Sequence, residues 1–337
     1  MPNYKISKQK LINELNMRKS RTQDLMKAKG LEGLIILQLV DLYYYTNSIQ
    51  VQACYIPVEG EALVFYRRSY EKVSEDCPLN LIQMKSFKQL PKLIQSKGYD
   101  LPRNLGFEMD VVPVKTYHSI LKAFKEIESI DASNLIRKIR MIKSDLEIEV
   151  FKEAGKVVDR VFNDVKNHMK EGVSELDISR EMEYAFRKEA HLGPVRLRGF
   201  NYEIFNGHVL CGENALIPSA LDMTLGGQGL HPAFSIAASE KKVGKSQPVI
   251  IDFACNYKGY HTDTTRTFVI DSLPLKLEKS YEKLIEIYHY IQSRLKPKTI
   301  CEDIYYEVIE KIKEADLDDH FMGYRESQVS FFGHGIG

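Results

Sequence analysis

Residues 249–270 read VIIDFACNYKGYHTDTTRTFVI, and the reading of this stretch decides the fold. Residues 249–254 and 264–270 are rich in β-branched and aromatic side chains, while Asn256, Tyr257, Lys258 and Gly259 suit a turn. The pattern predicts a β-hairpin. With its turn centred on Tyr257 and Lys258, Asp252 and Asp263 fall directly opposite one another, Cβ atoms ~5 Å apart on one face. Two carboxylates that close repel unless a shared proton or a metal ion compensates them. From spacing alone the pair fits equally well a solvated Asp at a strand end and a second one opening the Asp-Thr-Thr run, since Asp is common beside turns.

Working outward, Asp252-Phe253-Ala254, Gly259-Tyr260 and the run from Asp263 to Phe268 are similar to the signature of the pita-bread metallopeptidases. That family includes the Xaa-Pro aminopeptidases, prolidases and methionine aminopeptidases. Phe332-Gly333-His334-Gly335-Ile336-Gly337 resembles the family's glycine-flanked histidine and follows the Asp pair in the same order. The resemblance implies a centre of two divalent ions (Mn, Co, Zn or Fe), with Asp252 on one ion, Asp263 bridging both and His334 on the second. It also implies two further Glu ligands after the histidine, one of them the general base, and no residue follows Gly337 in the sequence. The expectation is a C-terminally truncated catalytic domain, with weak metal binding and little activity of its own. Its parent would be a metal-dependent Xaa-Pro peptidase that cleaves an N-terminal peptide bond with metal-activated water.

At 337 residues, two domains are the prior. With 44% apolar and 28% charged residues and a net charge of +1, the composition is that of an ordinary globular protein without a field to recruit nucleic acid or an anionic membrane. Five cysteines with no CxxC pair point to free thiols in a reducing compartment. No apolar run marks a signal peptide or membrane span, so a cytoplasmic location is expected.

Along residues 1–135, an amphipathic helix over 7–29 is followed by a strand at 34–37 and a hairpin of 54–58 with 62–66. A helix at 87–97, a strand at 104–107, a helix at 114–124 and a strand at 127–131 complete an α/β domain. This arrangement resembles the creatinase-type N-terminal domain, which in relatives contributes to homodimerisation. Tyr43, Tyr44 and Tyr45 read as strand-end residues packed at an interface, and Glu108 and Asp110 as solvated loop charges. The catalytic domain is expected over 144–337. Ser144 with Glu147, Ser174 with Asp177, and Thr299 with Glu302 have capping-box spacing before three helices. In a further helix over 277–295, Leu284, Ile287, Tyr288 and Ile291 are expected inward.

The segment from Gly207 to Ala215 is similar to the family's strand leading to the substrate pocket. Where active relatives carry a histidine beyond the Gly-Glu-Asn run, this chain has Ser219, which cannot shuttle a proton as an imidazole can. His208 and His231 are the candidates to replace it. Residues 226–229, Gly-Gly-Gln-Gly, read as a pocket loop and not as a phosphate cradle. The alternatives are a non-catalytic pita-bread binding protein, favoured by Ser219, and a creatinase-like amidinohydrolase, which would not need the Asp pair. The expected partner is a peptide with proline at its second position.

Overall fold

The computed structural model describes residues 6–199, 206–221 and 223–336. Gly337 of the last motif, residues 200–205 and residue 222 lie outside them. The chain divides into two compact units, one formed by the chain up to Glu149 with the segment around Arg196–Gly199, the other by most of the rest.

The first unit is a six-stranded mixed sheet in the order β4-β3-β2-β1-β5-β6. Its strands are β1 (Gly33–Ile36), β2 (Ala53–Pro57), β3 (Leu63–Tyr66), β4 (Leu81–Gln83), β5 (Asn104–Phe107) and β6 (Glu128–Asp131). β1, β2 and β3 pair antiparallel, and the β3–β4, β1–β5 and β5–β6 pairs are parallel. β1 is apolar at every position because both of its faces are covered. Leu34 and Ile36 join Met26, Leu42, Ile56, Leu135 and Ile139 on the side of α1 (Lys8–Ala28), α2 (Leu39–Thr46) and α6 (Ser133–Met141). Ile35 joins Tyr55, Phe65, Phe107, Ile94 and Ile120 on the side of α4 (Leu90–Ser96) and α5 (Val114–Phe124). The short α3 (Tyr70–Asp76) precedes β4.

Two expectations fail here. Tyr43, Tyr44 and Tyr45 lie on α2, where Gln38 Oε1 accepts the Val40 and Asp41 N–H groups and starts the helix. Tyr44 and Tyr45 are buried in the unit's own core. Glu108 is not solvated either. It is fully buried, accepting the Leu37 and Gln38 N–H groups at 2.6 and 3.0 Å through Oε2. Among the described residues no donor reaches its Oε1, and burial first, then the buried Asp41, push its pKa well up. Asp41 is gripped by Arg140 at 2.7 Å and by Arg198. Asp110 takes the other nitrogens of Arg198.

The second unit carries most of α7 (Asp145–Asp164), then α8 (Glu175–Lys188), β7 (Gly207–Cys211), β8 (Val249–Tyr257), β9 (Tyr260–Phe268), α9 (Leu275–Arg294) and α10 (Cys301–Glu314). The capping boxes at Ser144 and Ser174 form as read: Ser144 Oγ accepts the Glu147 N–H, and Ser174 Oγ that of Asp177. That at Thr299 does not form. α10 starts one residue late for it, with Ile300 at the cap and no side-chain bond. On α9 Ile287 is buried, while Leu284 and Tyr288 are 38% and 52% exposed, against expectation.

β7, β8 and β9 form an antiparallel sheet. Alternation on β8 sorts its side chains: Val249, Ile251, Phe253, Cys255 and Tyr257 are buried, and Phe253 stacks on Phe186 of α8 at 5.7 Å. Ile250, Asp252 and Ala254 face the half-open side. Cys54, Cys77, Cys211 and Cys255 are buried free thiols, and Cys301 is exposed at the start of α10. Among the described residues no helix is long and apolar enough to cross a membrane.

Candidate metal centre

The hairpin turn sits on Lys258 and Gly259, with φ of +52° and +84°, one residue later than the sequence suggests. A two-residue turn that matches strand twist needs positive φ at both central positions, and glycine supplies one of them freely. Tyr257 therefore pairs with Tyr260, Asp252 with Thr265 and Ala254 with Asp263. The two Asp residues are diagonal, not directly opposite, which sets side chains about 7–8 Å apart. Because the slip is two residues, both still face the same side.

On that side His334 Nε2 lies 3.1 Å from Asp263 Oδ2. Asp252 Oδ1 accepts the Thr265 hydroxyl at 2.7 Å. The Asp252 carboxyl is pushed up to about 6, mainly by burial and further by the Asp263 charge, against the opposing pull of Thr265 and His334. The segment before His334 is anchored where Phe332 stacks on Tyr305 of α10, rings parallel within 3° and 5.8 Å apart. Among the described residues no three His, Cys, Asp or Glu side chains already close on one metal-sized point. The donor chemistry nevertheless fits a divalent cation. Two carboxylates and an imidazole meet on one half-open face, and a cation there would offset the repulsion and desolvation that raise Asp252.

Of the other predicted residues, His208 comes nearest: it stands directly opposite Asp252 on β7. It is buried, and burial lowers its pKa to about 4, so it is neutral at neutral pH. Ser219 and His231 serve their own turns. Ser219 Oγ accepts the Leu221 N–H at 3.0 Å, and the exposed His231 accepts that of Ala233 through Nδ1 at 3.1 Å. His261 lies on the Asp263 face of β9, and His289 is exposed on α9 beside Gln292. In the glycine loop at 226–229 three N–H groups are used internally and are not turned toward an anion. Gly227 donates to the Ile217 carbonyl, Gln228 to Asn214 Oδ1 and Gly229 to the Ala237 carbonyl.

Sequence reading missed two supports of this face. Thr265 was legible in principle, since a Lys-Gly turn puts it opposite Asp252. Glu175 gave no signal. It is fully buried at the start of α8, where Oε1 accepts the Cys211 N–H and Oε2 accepts Asn214 Nδ2, Ser239 N and Ser239 Oγ. It thus ties the far end of β7 to the loop before β8.

The model of metallopeptidase family M24 matches residues 149–337, more than half of the chain, and that of the creatinase/prolidase N-terminal domain matches 18–142. A Xaa-Pro dipeptidase of Pyrococcus furiosus is 23% identical over 325 residues, covering 95% of this chain and 82% of the relative. Among solved structures, a Xaa-Pro dipeptidase from Bacillus anthracis superimposes with a TM-score of 0.74 at 23% identity, over 96% of this chain and 82% of that one. The prolidase from Pyrococcus horikoshii gives 0.75 at 18% identity, over 95% and 88%.

Proposed function

The chain belongs to metallopeptidase family M24, and from that premise we propose that it is a Xaa-Pro peptidase whose metal ligands include Asp252, Asp263 and His334. The observation that carries the reading is the contact of His334 with Asp263 beside the raised carboxyl of Asp252. The substrate class is supported by the Xaa-Pro dipeptidase relative, of which this chain covers 82%. The reading has two domains, 1–135 and 144–337, and the family matches over 18–142 and 149–337 support that division. A homodimer in the cytoplasm, with manganese as the working ion, completes the reading.

Bound divalent ions would supply an activated water and polarise the scissile carbonyl. The chain's own residues do the rest. Thr265 holds one oxygen of Asp252 and so orients the other. Neutral His208, opposite Asp252 on β7, adds no positive charge next to a cation site. Tyr305 and Phe332 fix the backbone from which His334 reaches Asp263.

The test is hydrolysis of a Xaa-Pro dipeptide, a longer Xaa-Pro peptide and a proline-free control, after chelation and re-addition of Mn²⁺, Co²⁺, Zn²⁺ or Fe²⁺. Metal-dependent cleavage of the proline peptides is expected, with metal uptake and activity both lost in Asp263→Asn. Binding of these ions without cleavage of any peptide would overturn the peptidase reading, and unchanged metal stoichiometry in Asp263→Asn the ligand assignment.

A further inference from the structure

Past the end of α8 one buried side chain ties together three segments around the hairpin. The helix ends with Ala190 at φ +71°, and the His191 N–H donates to the Phe186 carbonyl at 3.0 Å, as in a Schellman motif. His191 is 3% exposed. Its Nδ1 accepts the Asn256 N–H at 2.8 Å, and Nε2 lies 3.2 Å from both the Gly193 carbonyl and Asn206 Oδ1. A ring nitrogen that accepts an N–H carries no proton, and one facing a carbonyl must carry it. A backbone donor on one side and a backbone acceptor on the other therefore fix a neutral ring with its proton on Nε2. Neither backbone group can reverse its role.

These bonds reach β8, which carries Asp252, and the residue just before β7. The Asn206 carbonyl accepts the N–H of Ala254, which stands directly opposite Asp263. The Asn256 carbonyl takes the Leu192 N–H at 2.9 Å. Its side chain donates to the Pro194 carbonyl at 2.6 Å and accepts the Gly259 N–H of the turn at 3.1 Å. Asn256 is on the same face of β8 as Asp252, two positions of alternation away.

We propose that His191, as the neutral Nε2–H tautomer, is a positioning residue: it clamps the hairpin so that Asp252 and Asp263 are presented together, and a proton on Nδ1 releases the clamp. The clamp stands on geometry. What the hairpin presents rests on the metallopeptidase reading. Burial lowers the pKa of the ring, bonds to Asn206 and Gly193 oppose this, and the Arg187 guanidinium reinforces it. Arg187 of α8, which donates to the His191 carbonyl at 2.9 Å, is the charged group at the ring. The strand side presents Asn206 and Asn256, which do not titrate.

Three variants separate the contacts. His191→Asn keeps an acceptor near Nδ1, His191→Gln keeps a donor near Nε2, and His191→Ala keeps neither. Hydrogen exchange of the Asn256 amide is expected to quicken at least about tenfold in the Ala and Gln variants, as for loss of a protecting bond, and to stay near wild type in His191→Asn. Imidazole ¹⁵N shifts of the wild type should report Nε2–H. Mn²⁺ affinity by calorimetry should fall about tenfold in His191→Ala at pH 7.5. That difference should close as pH falls far enough below 6.5 to protonate the wild-type ring, which then loses the same clamp. An unchanged Asn256 amide in the Ala or Gln variant, or an Nδ1–H wild-type ring, would overturn the clamp. A quickened amide with unchanged Mn²⁺ affinity would overturn its role at the centre. If the wild type binds no Mn²⁺, the metal reading fails, whereas the amide and ¹⁵N results still decide the clamp.

Discussion

At the scale of single residues, burial sets the chemistry more than residue type does. Glu108 and Asp252 are both carboxyls raised chiefly by burial, one enclosed in the first unit's core, the other at the edge of an open face. Glu108 lies against buried Asp41, and two carboxylates there would be untenable without a proton between them. The folded state thus binds a proton that the unfolded chain, with an ordinary Glu, gives up near pH 4.5. Its contribution to stability is lost as pH rises from there toward the raised folded value. Glu108→Gln keeps an acceptor for Leu37 and Gln38 and carries a fixed donor toward Asp41. It is expected to raise unfolding free energy at pH 8 by about 1–3 kcal/mol and to flatten the decline from pH 5 to 8 in urea titrations.

At the scale of elements, the local signals were legible and the non-local ones were not. Ser144 with Glu147 and Ser174 with Asp177 each carry a cap within four residues, and both form. The hairpin and the shared face of its Asp residues were also readable, because a two-residue error in register leaves alternation intact. The start of α10 was misread because Thr299 is drawn into a turn with Lys296. The inward face of α9 and the burial of Glu108 depend on what packs against them, which periodicity does not specify. Glu175 and His191 escaped for the same reason, their partners lying 36 and 65 residues away. Where α8 ends, Ala190 occupies a left-handed position that glycine fills without strain. Ala190→Gly is expected to stabilise the protein by about 1 kcal/mol in thermal unfolding, leaving the His191 contacts in place. A loss of stability would show that the Ala190 methyl packs usefully.

At the scale of the whole molecule, the acid response is a contest between opposite shifts. His208 and His191 have lowered pKa values, so below pH 6.5 the unfolded chain takes up protons that the folded one refuses, and stability falls. For His208 the full loss down to pH 4 is on the order of 3 kcal/mol. Asp252, raised to about 6, works the other way: the folded state protonates first, regaining stability between about pH 6 and 3.8. In chelator, Asp252→Asn should therefore gain about 2 kcal/mol at pH 7.5 and lose stability more steeply than wild type from pH 6.5 to 4. Parallel pH profiles in guanidinium titrations would exclude a raised Asp252. The α/β class of the first domain was recoverable from the sequence, and so was the shared face of Asp252 and Asp263. The network that holds those two residues is made by tertiary contact.

The distribution of thiols makes the protein addressable by a reagent. Four of its five cysteines are sealed in the cores, and Cys301 alone is exposed. A maleimide dye would attach once, without mutagenesis, one helical turn before the Tyr305 ring that stacks on Phe332. Its emission would then follow the segment that carries His334 in real time.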